Sequence, residues 1–561
     1  GTGVAKSGGF FSDIDHLGLA LWIEMSERVA GHVLEETDGL LYRIACRCNA
    51  WSQRCTTAVF IIASSFLRSA RVLMRKPVSL TMSLLCAALF SLAGVGRTDE
   101  LPDLGEAARA EFSPQLEHRI GERIMNEIRL REPSYVDDTD ISDYLNRLGR
   151  RLVSASSNPL SDCQFFAVRD GMINAFAMFG GFIGVNTGTI LTAQSESELA
   201  GVLAHEIAHV QQNHLARNLA REKQNSLAMM IAMAVGVLAA RSNAQIANAT
   251  IASAQAGAIQ SQLAYSRDFE READRLGFQT LSQAGFDAHG MGDFFGRLHQ
   301  AGRVYENNAP VYLRSHPLTI ERLSDMQNRA QGASYRQVAD SLDFHLVRAK
   351  LRVQGGSPSE QAKELAAQLR EKKYASEAAT RYGLSYALLL AKEPSAAQRE
   401  MDALLALKPA SSLVGRLRAD IRRALGDTAG AIAIYREALQ RFPQAKSLAY
   451  GYADALLAGK QYDQGLNFLS AQSTSDANDA QLYALQAKTY AAAGKRLQQH
   501  RAQAEAYLRQ GQLGAAVEQM TLAQQAGDGN FFEQSTVDAR LREMRKLLAD
   551  ELREKRSGNG I

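Results

Sequence analysis

His205-Glu206-Ile207-Ala208-His209 is the stretch from which the rest of this chain is read. On a helix, residues four apart share one face, so both imidazoles can reach a single metal ion. The intervening Glu206 is placed to act as a base on water at such a metal. A bare H-E-x-x-H pattern arises by chance in roughly one chain in a hundred of this size, so its neighbourhood has to decide. Ser195-Glu196-Ser197-Glu198 has the form of a capping box, with Ser195 as N-cap and Glu198 at the third helical position. Leu199, Val202, Leu203, Ile207 and Val210 then recur at helical spacing. The pattern predicts a buried helix carrying His205 and His209.

A third ligand is needed. The extended motif H-E-x-x-H-x-x-G-x-x-H is absent, because Gln212 and Leu215 stand at its Gly and His positions. On a continuing helix His214 falls on the wrong face, and it reads as a structural or solvated histidine. Downstream, Glu270 and Asp274 lie one helical turn apart in Phe269-Glu270-Arg271-Glu272-Ala273-Asp274. Glu270 can complete a two-histidine, one-carboxylate site, and Asp274 can accept the far N–H of a ligand histidine. Glu272 points elsewhere on the wheel and reads as a solvated carboxylate.

H-E-I-A-H followed by E-R-E-A-D resembles the metallopeptidase family that contains the CAAX prenyl proteases and HtpX. The resemblance takes in Asn174-Ala175-Phe176-Ala177, Gly180 through Gly188, Ser315-His316-Pro317 and Arg322, and so covers roughly residues 105–335. It implies one zinc per chain, bound by His205, His209 and Glu270, with Glu206 as the catalytic carboxylate. Relatives often have A-L-P-G-G where this chain has Ala177-Met178-Phe179-Gly180-Gly181. In such relatives the histidine matching His316 can fill the fourth zinc position and keep the enzyme latent, which makes His316 a candidate regulatory ligand. Arg322 is expected either to contact substrate or to be an ordinary helix-surface arginine.

Gly181-Phe182-Ile183-Gly184-Val185 reads as a β-prone run ended by Asn186-Thr187-Gly188. It is expected to be an exposed edge strand that pairs with substrate backbone. The alternative is an internal strand packed against the metal-binding helix.

Composition allows more than one domain: the chain has 561 residues, a net charge of +3 and 22% charged residues, with no basic tract that would suggest nucleic acid. Met74-Arg75-Lys76, the uncharged run Leu80–Val95 and Ser91-Leu92-Ala93 form a bacterial-style secretory signal over 74–93. Residues 1–73, with Cys46, Cys48 and Cys55, read as an over-extended gene start or an unstructured leader. Export would place the chain in the periplasm. The apolar block 227–240 is too short to span a bilayer and reads either as a core helix or as a Met-rich flap that touches a membrane or a hydrophobic client.

After residue 380 the sequence repeats. Ala397, Ala431 and Gly465 recur every 34 residues, Met401, Tyr435 and Leu469 follow one turn later, and Pro409 and Pro443 close units. The region 340–555 resembles a tetratricopeptide solenoid of about four units, with its period slipping near 495–509. The expected architecture is mainly α: an α+β zincin-like metallopeptidase domain over 100–335, then an α-helical solenoid. The whole resembles exported peptidases of the same family. That implies cleavage of unfolded or misassembled outer-membrane proteins, with the repeats docking on the outer-membrane β-barrel assembly machinery and possible peripheral membrane contact. A chaperone or adaptor with a mostly latent metal site is the alternative.

Overall fold

The computed structural model describes residues 113–157, 163–221, 267–304, 311–332 and 336–556. The leader, the secretory signal and the apolar block 227–240 lie outside the described residues.

Helix α1 (Pro114–Arg131) starts with proline at a position where its missing N–H costs nothing, and Ser113 caps it. Helix α2 (Thr139–Ala155) is capped by Asp138, whose carboxylate accepts from the Asp140 and Ile141 amides. A three-stranded sheet follows, built from β1 (Gln164–Val168), β2 (Ala175–Ala177) and β3 (Phe182–Asn186) in the order β1-β3-β2. β3 runs parallel to β1, with Gln164 opposite Phe182, and antiparallel to β2, with Ala177 opposite Ile183.

This order corrects the expectation for residues 181–185. Gly181 belongs to a tight turn at φ 82°, and Phe182, Ile183, Gly184 and Val185 lie in the middle strand. Both edges of β3 are already hydrogen-bonded to neighbours, and all five of its residues are buried. A strand paired on both sides has no backbone groups left for a substrate, so the internal alternative holds. Among the described residues the outer strand beside the metal-binding helix is the short β2.

After α3 (Thr187–Thr192) comes α4 (Glu196–Gln211), which carries the H-E-x-x-H motif. Ser195 caps it by accepting from the Glu198 amide, and Glu198 reaches back to the Gln194 amide. Nearly every residue of α4 is buried, as expected of a helix packed all round. It lies among β2, α2, α6 (Arg267–Gln283) and α7 (His289–Val304). Between α4 and α6 stands α5 (His214–Arg221); after α7 come α8 (Val311–Ser315) and α9 (Ile320–Gly332).

From Leu342 to Arg556 the chain is a series of helical hairpins. The second helices of four hairpins begin at Pro394, Thr428, Tyr462 and Arg496, so the 34-residue period persists through 495–509. The expected slip is a loss of sequence signature, not of geometry. The turns keep the same step. Lys392, Gly426, Lys460 and Gly494 all take positive φ, at 65°, 84°, 58° and 73°. Each lies just past a helix C-cap, and the next amide bonds back to a carbonyl of the last turn, for example Asp427 to Arg422. Ala397 and Ala431 are fully buried where helices cross, one turn before buried Met401 and Tyr435.

The array is joined to the peptidase domain by core and by charge. One hydrophobic cluster runs from Leu145, Leu199 and Leu203 through Phe344 and Val347 to Tyr382, Met401 and Leu417. Lys350, 5% exposed, donates to Asp138 Oδ1 at 2.8 Å and to Asp140 Oδ2 at 2.6 Å. Asp143 of α2 accepts from the Ser447 amide at 3.2 Å, in the first turn of helix Lys446–Ala458, whose own N-cap residue is Ala445.

Burial pushes the Asp143 carboxyl up to about 6, against the Ser447 amide and the Arg147 and Lys446 charges that favour ionisation. An acid whose folded pKa is raised weakens the fold above that pKa, and the penalty disappears as pH falls below the unfolded value near 4. Asp143→Asn keeps the acceptor and removes the charge. It should raise stability at pH 7.5 by about 1–2 kcal/mol and leave it unchanged at pH 4, as read by urea unfolding at the two pH values.

Candidate metal centre

The site forms where α4 and α6 cross at close range. A Cβ at Gly277 would lie 3.0 Å from the His205 backbone nitrogen, tighter than a side chain normally packs, so glycine lets the two helices approach closely here. Gly277 shares a face of α6 with Asp274 and Glu270, one and two turns away respectively, and that face packs toward the two histidines. His316 arrives from the other side. It follows α8, its amide donates to the Tyr312 carbonyl at 2.8 Å, and its ring stacks on the Tyr312 ring at 4.7 Å.

The donors converge in a space closed to solvent. His205, His209, Glu270 and His316 are each at most 1% exposed, and their ligand atoms lie within 4.8 Å of one another. His205 Nε2 is 3.0 Å from His209 Nε2, 3.4 Å from His316 Nδ1 and 3.5 Å from Glu270 Oε2. Glu270 Oε1 is 3.5 Å from His209 Nε2 and 3.0 Å from His316 Nδ1. Tetrahedral zinc with bonds near 2.0–2.1 Å requires donor–donor separations of about 3.3 Å. The four donors therefore fit such an ion, and three imidazoles with one carboxylate are the donor types that zinc takes. Glu206 is fully buried; His316 Nε2 stands 3.6 Å from its Oε1, and the Ala177 backbone also favours its ionised form.

The electrostatics follow from burial. Desolvation raises the Glu206 carboxyl, outweighing the pull of His316 and His205. Burial acts on Glu270 in the same sense, but His316 and His205 hold it well below the usual carboxylate range. For Asp274 burial is overcome by Arg322 and His205, and its carboxyl is lowered. His205 meets opposing effects: burial disfavours its charge, yet Asp274 and Glu270 bring it up to about 9. Burial leaves His209 well below the ordinary histidine value and takes His214 down to about 4.

The side chains behind the donors depart from the sequence reading. Asp274 Oδ1 lies 3.1 Å from His205 Nδ1, the partnership expected of it. Arg322 is neither a substrate contact nor a surface residue. At 3% exposure it grips Asp274 with Nε and Nη2 at 2.6 and 2.8 Å, Glu270 with Nη1 at 2.8 Å, and the Pro317 carbonyl at 2.7 Å. Of the two readings of His214, structural or solvated, the structural one holds. His214 is fully buried, with Nδ1 2.8 Å from His209 Nδ1 and Nε2 3.2 Å from Glu272 Oε2. Glu272 also accepts from Arg217 at 3.2 Å. The signal that could have found these residues is the end of α4: with the helix stopping at Gln211, wheel positions beyond it carry no meaning. Tyr312, also unforeseen, is buried against His316 with its hydroxyl outside any hydrogen bond.

Residues 141–330 match the sequence profile of peptidase family M48, and residues 422–489 match a tetratricopeptide repeat profile. The chain is 40% identical over 273 residues to a putative beta-barrel assembly-enhancing protease of Vibrio cholerae, a match covering 48% of this chain and 56% of that protein. It is 32% identical over 452 residues to a beta-barrel assembly-enhancing protease of Yersinia pestis, covering 80% of this chain and 92% of the relative. The protein of that name from Escherichia coli K12 is 30% identical over 456 residues, with the same coverages.

Replacing Arg322 by leucine would leave Asp274 and Glu270 buried against each other with their shared cation gone. Arg322→Leu should destabilise the metal-free chain by about 3–5 kcal/mol, measured by urea unfolding in the presence of chelator.

Proposed function

This chain belongs to the beta-barrel assembly-enhancing proteases of peptidase family M48, and on that premise we propose that it is a zinc endopeptidase of the periplasm that cleaves unfolded or misassembled outer-membrane proteins. The observation that carries the zinc reading is the convergence of four buried donors, with 3.0–3.5 Å from His205 to the other three and from Glu270 to His209 and His316. Bound at those donors, zinc supplies Lewis acidity toward water and toward the scissile carbonyl.

The rest of the chemistry falls to the chain. Glu206, whose carboxyl burial raises above its ordinary value, takes a proton from water and returns it to the leaving amine. Asp274 and Arg322 fix the His205 ring while this happens. The backbone of β2 offers the outer edge along which an extended substrate pairs, in place of β3. The repeat array docks on the outer-membrane β-barrel assembly machinery or on the clients themselves. The secretory pattern over 74–93 supports the periplasmic assignment; no described helix is long and apolar enough to cross a membrane.

His316 gives this site a resting state. A catalytic zinc keeps one position open, and with the ion held by His205, His209 and Glu270, His316 would occupy that position. It acts as a latch that must swing away for turnover. The same closed geometry favours a second reading, a repeat-based chaperone or adaptor whose metal site is rarely open.

Glu206→Gln should lose at least about 100-fold in the cleavage of unfolded casein while keeping bound zinc and the far-ultraviolet spectrum of the wild type. Chelator-sensitive digestion by that variant would remove Glu206 from the mechanism, and full rescue of an envelope defect by it would favour the chaperone. His316→Ala should cleave the same casein several-fold faster than wild type; an unchanged rate would dismiss the latch.

A further inference from the structure

We infer that His214 is a positioning residue of the metal centre, which fixes ligand His209 in its metal-binding tautomer through a chain His209–His214–Glu272. The inference rests on the four-donor cluster being a metal site. Its starting point is a proton that needs a place. His209 turns Nε2 toward His205, Glu270 and the site interior, so Nε2 must be bare to ligate and the ring proton sits on Nδ1. That N–H is buried, and 2.8 Å away stands His214 Nδ1. If His214 accepts there, its own proton lies on Nε2, which meets Glu272 Oε2 at 3.2 Å. Every proton along the chain then has one position, and the ring of His209 has one orientation.

The local fold is arranged to bring this about. Helix α4 ends at Gln211, and Asn213 turns the chain with φ 50°, a conformation asparagine tolerates better than most residues. The turn returns His214 to the flank of His209, which an unbroken helix would not. The His214 ring is stacked on Phe269 at 4.4 Å and 13°, and the Arg217 guanidinium lies 4.5 Å from the same Phe269 ring centroid. Phe269 immediately precedes ligand Glu270, so the stack sets α5 against α6 beside the site.

The two ligand histidines of α4 are thus held differently. His205 has a carboxylate, Asp274, already matched to Arg322. A second carboxylate directly behind His209 would put a further negative charge into the closed cavity. An imidazole accepts the proton without adding charge, and passes the negative end of the chain to Glu272, which is 28% exposed and paired with Arg217.

The test uses the full chain, with zinc affinity measured by competition with a chromogenic chelator and turnover measured on unfolded casein. His214→Leu should weaken zinc binding about 10–100-fold and lower kcat, with KM nearly unchanged. His214→Asn places an amide oxygen where Nδ1 was, and should recover affinity to within about threefold of wild type. Glu272→Ala, at a half-buried position that tolerates truncation, should lose affinity in the same direction but less. Wild-type zinc affinity in His214→Leu, or equal losses in His214→Leu and His214→Asn, would reduce His214 to a packing residue. A wild-type chain that takes up no zinc would bring down the metal reading itself, and with it this chain of bonds.

Discussion

The backbones of α4 and α6 touch at Gly277, and the metal centre exists because they do. A carboxylate reaches only a few ångströms from its helix. Glu270 meets the imidazoles of another helix only if the two axes run closer than ordinary side chains allow. Gly201 and Gly290 play a similar part on the far side, where added methyl groups would meet Met291 and the Ser197 backbone. The peptidase core is therefore organised around α4 as a shaft gripped from several sides, with the small sheet closing one flank.

Such tightness has an electrostatic consequence. Four imidazoles and three carboxylates occupy one buried region, and isolated charges there would be costly by many kcal/mol. The fold offsets this with a single guanidinium, that of Arg322, which bridges Glu270 and Asp274 and also holds the loop that carries His316. One cation thus joins Glu270, Asp274 and the backbone next to His316. Any displacement of His316 is made against an anchor only one residue away, at Pro317.

What the sequence disclosed, and what it hid, divide along physical lines. His205, Glu206, His209, Glu270 and Asp274 were legible because helical periodicity converts spacing into direction, and each sits inside an unbroken helix. The 34-residue repeat was legible for the same reason, with small residues marking helix crossings. The strand 181–185 was misjudged because β-propensity records a pleated, apolar setting and says nothing of how many neighbours a strand has. Arg322, His214 and Glu272 were missed for a different reason. Their roles depend on where a helix stops and on contacts between segments far apart in the chain, which no periodicity encodes. The fading of the repeat near residue 495 belongs here too: the helices stay in step although the marker residues change.

The junction between the two halves has a practical corollary. Ser341 and Asp340, on the linker before helix Leu342–Gln354, hydrogen-bond Glu196 in the opening turn of α4, and Phe344 and Val347 complete the core beneath it. A truncation placed near residue 340, where the family profiles invite one, would strip the catalytic half of its floor and leave an oily scar on each fragment. A boundary beyond Gln354 would still cut the core that this helix shares with Tyr382, Met401 and Leu417, so the two halves are best expressed as one chain.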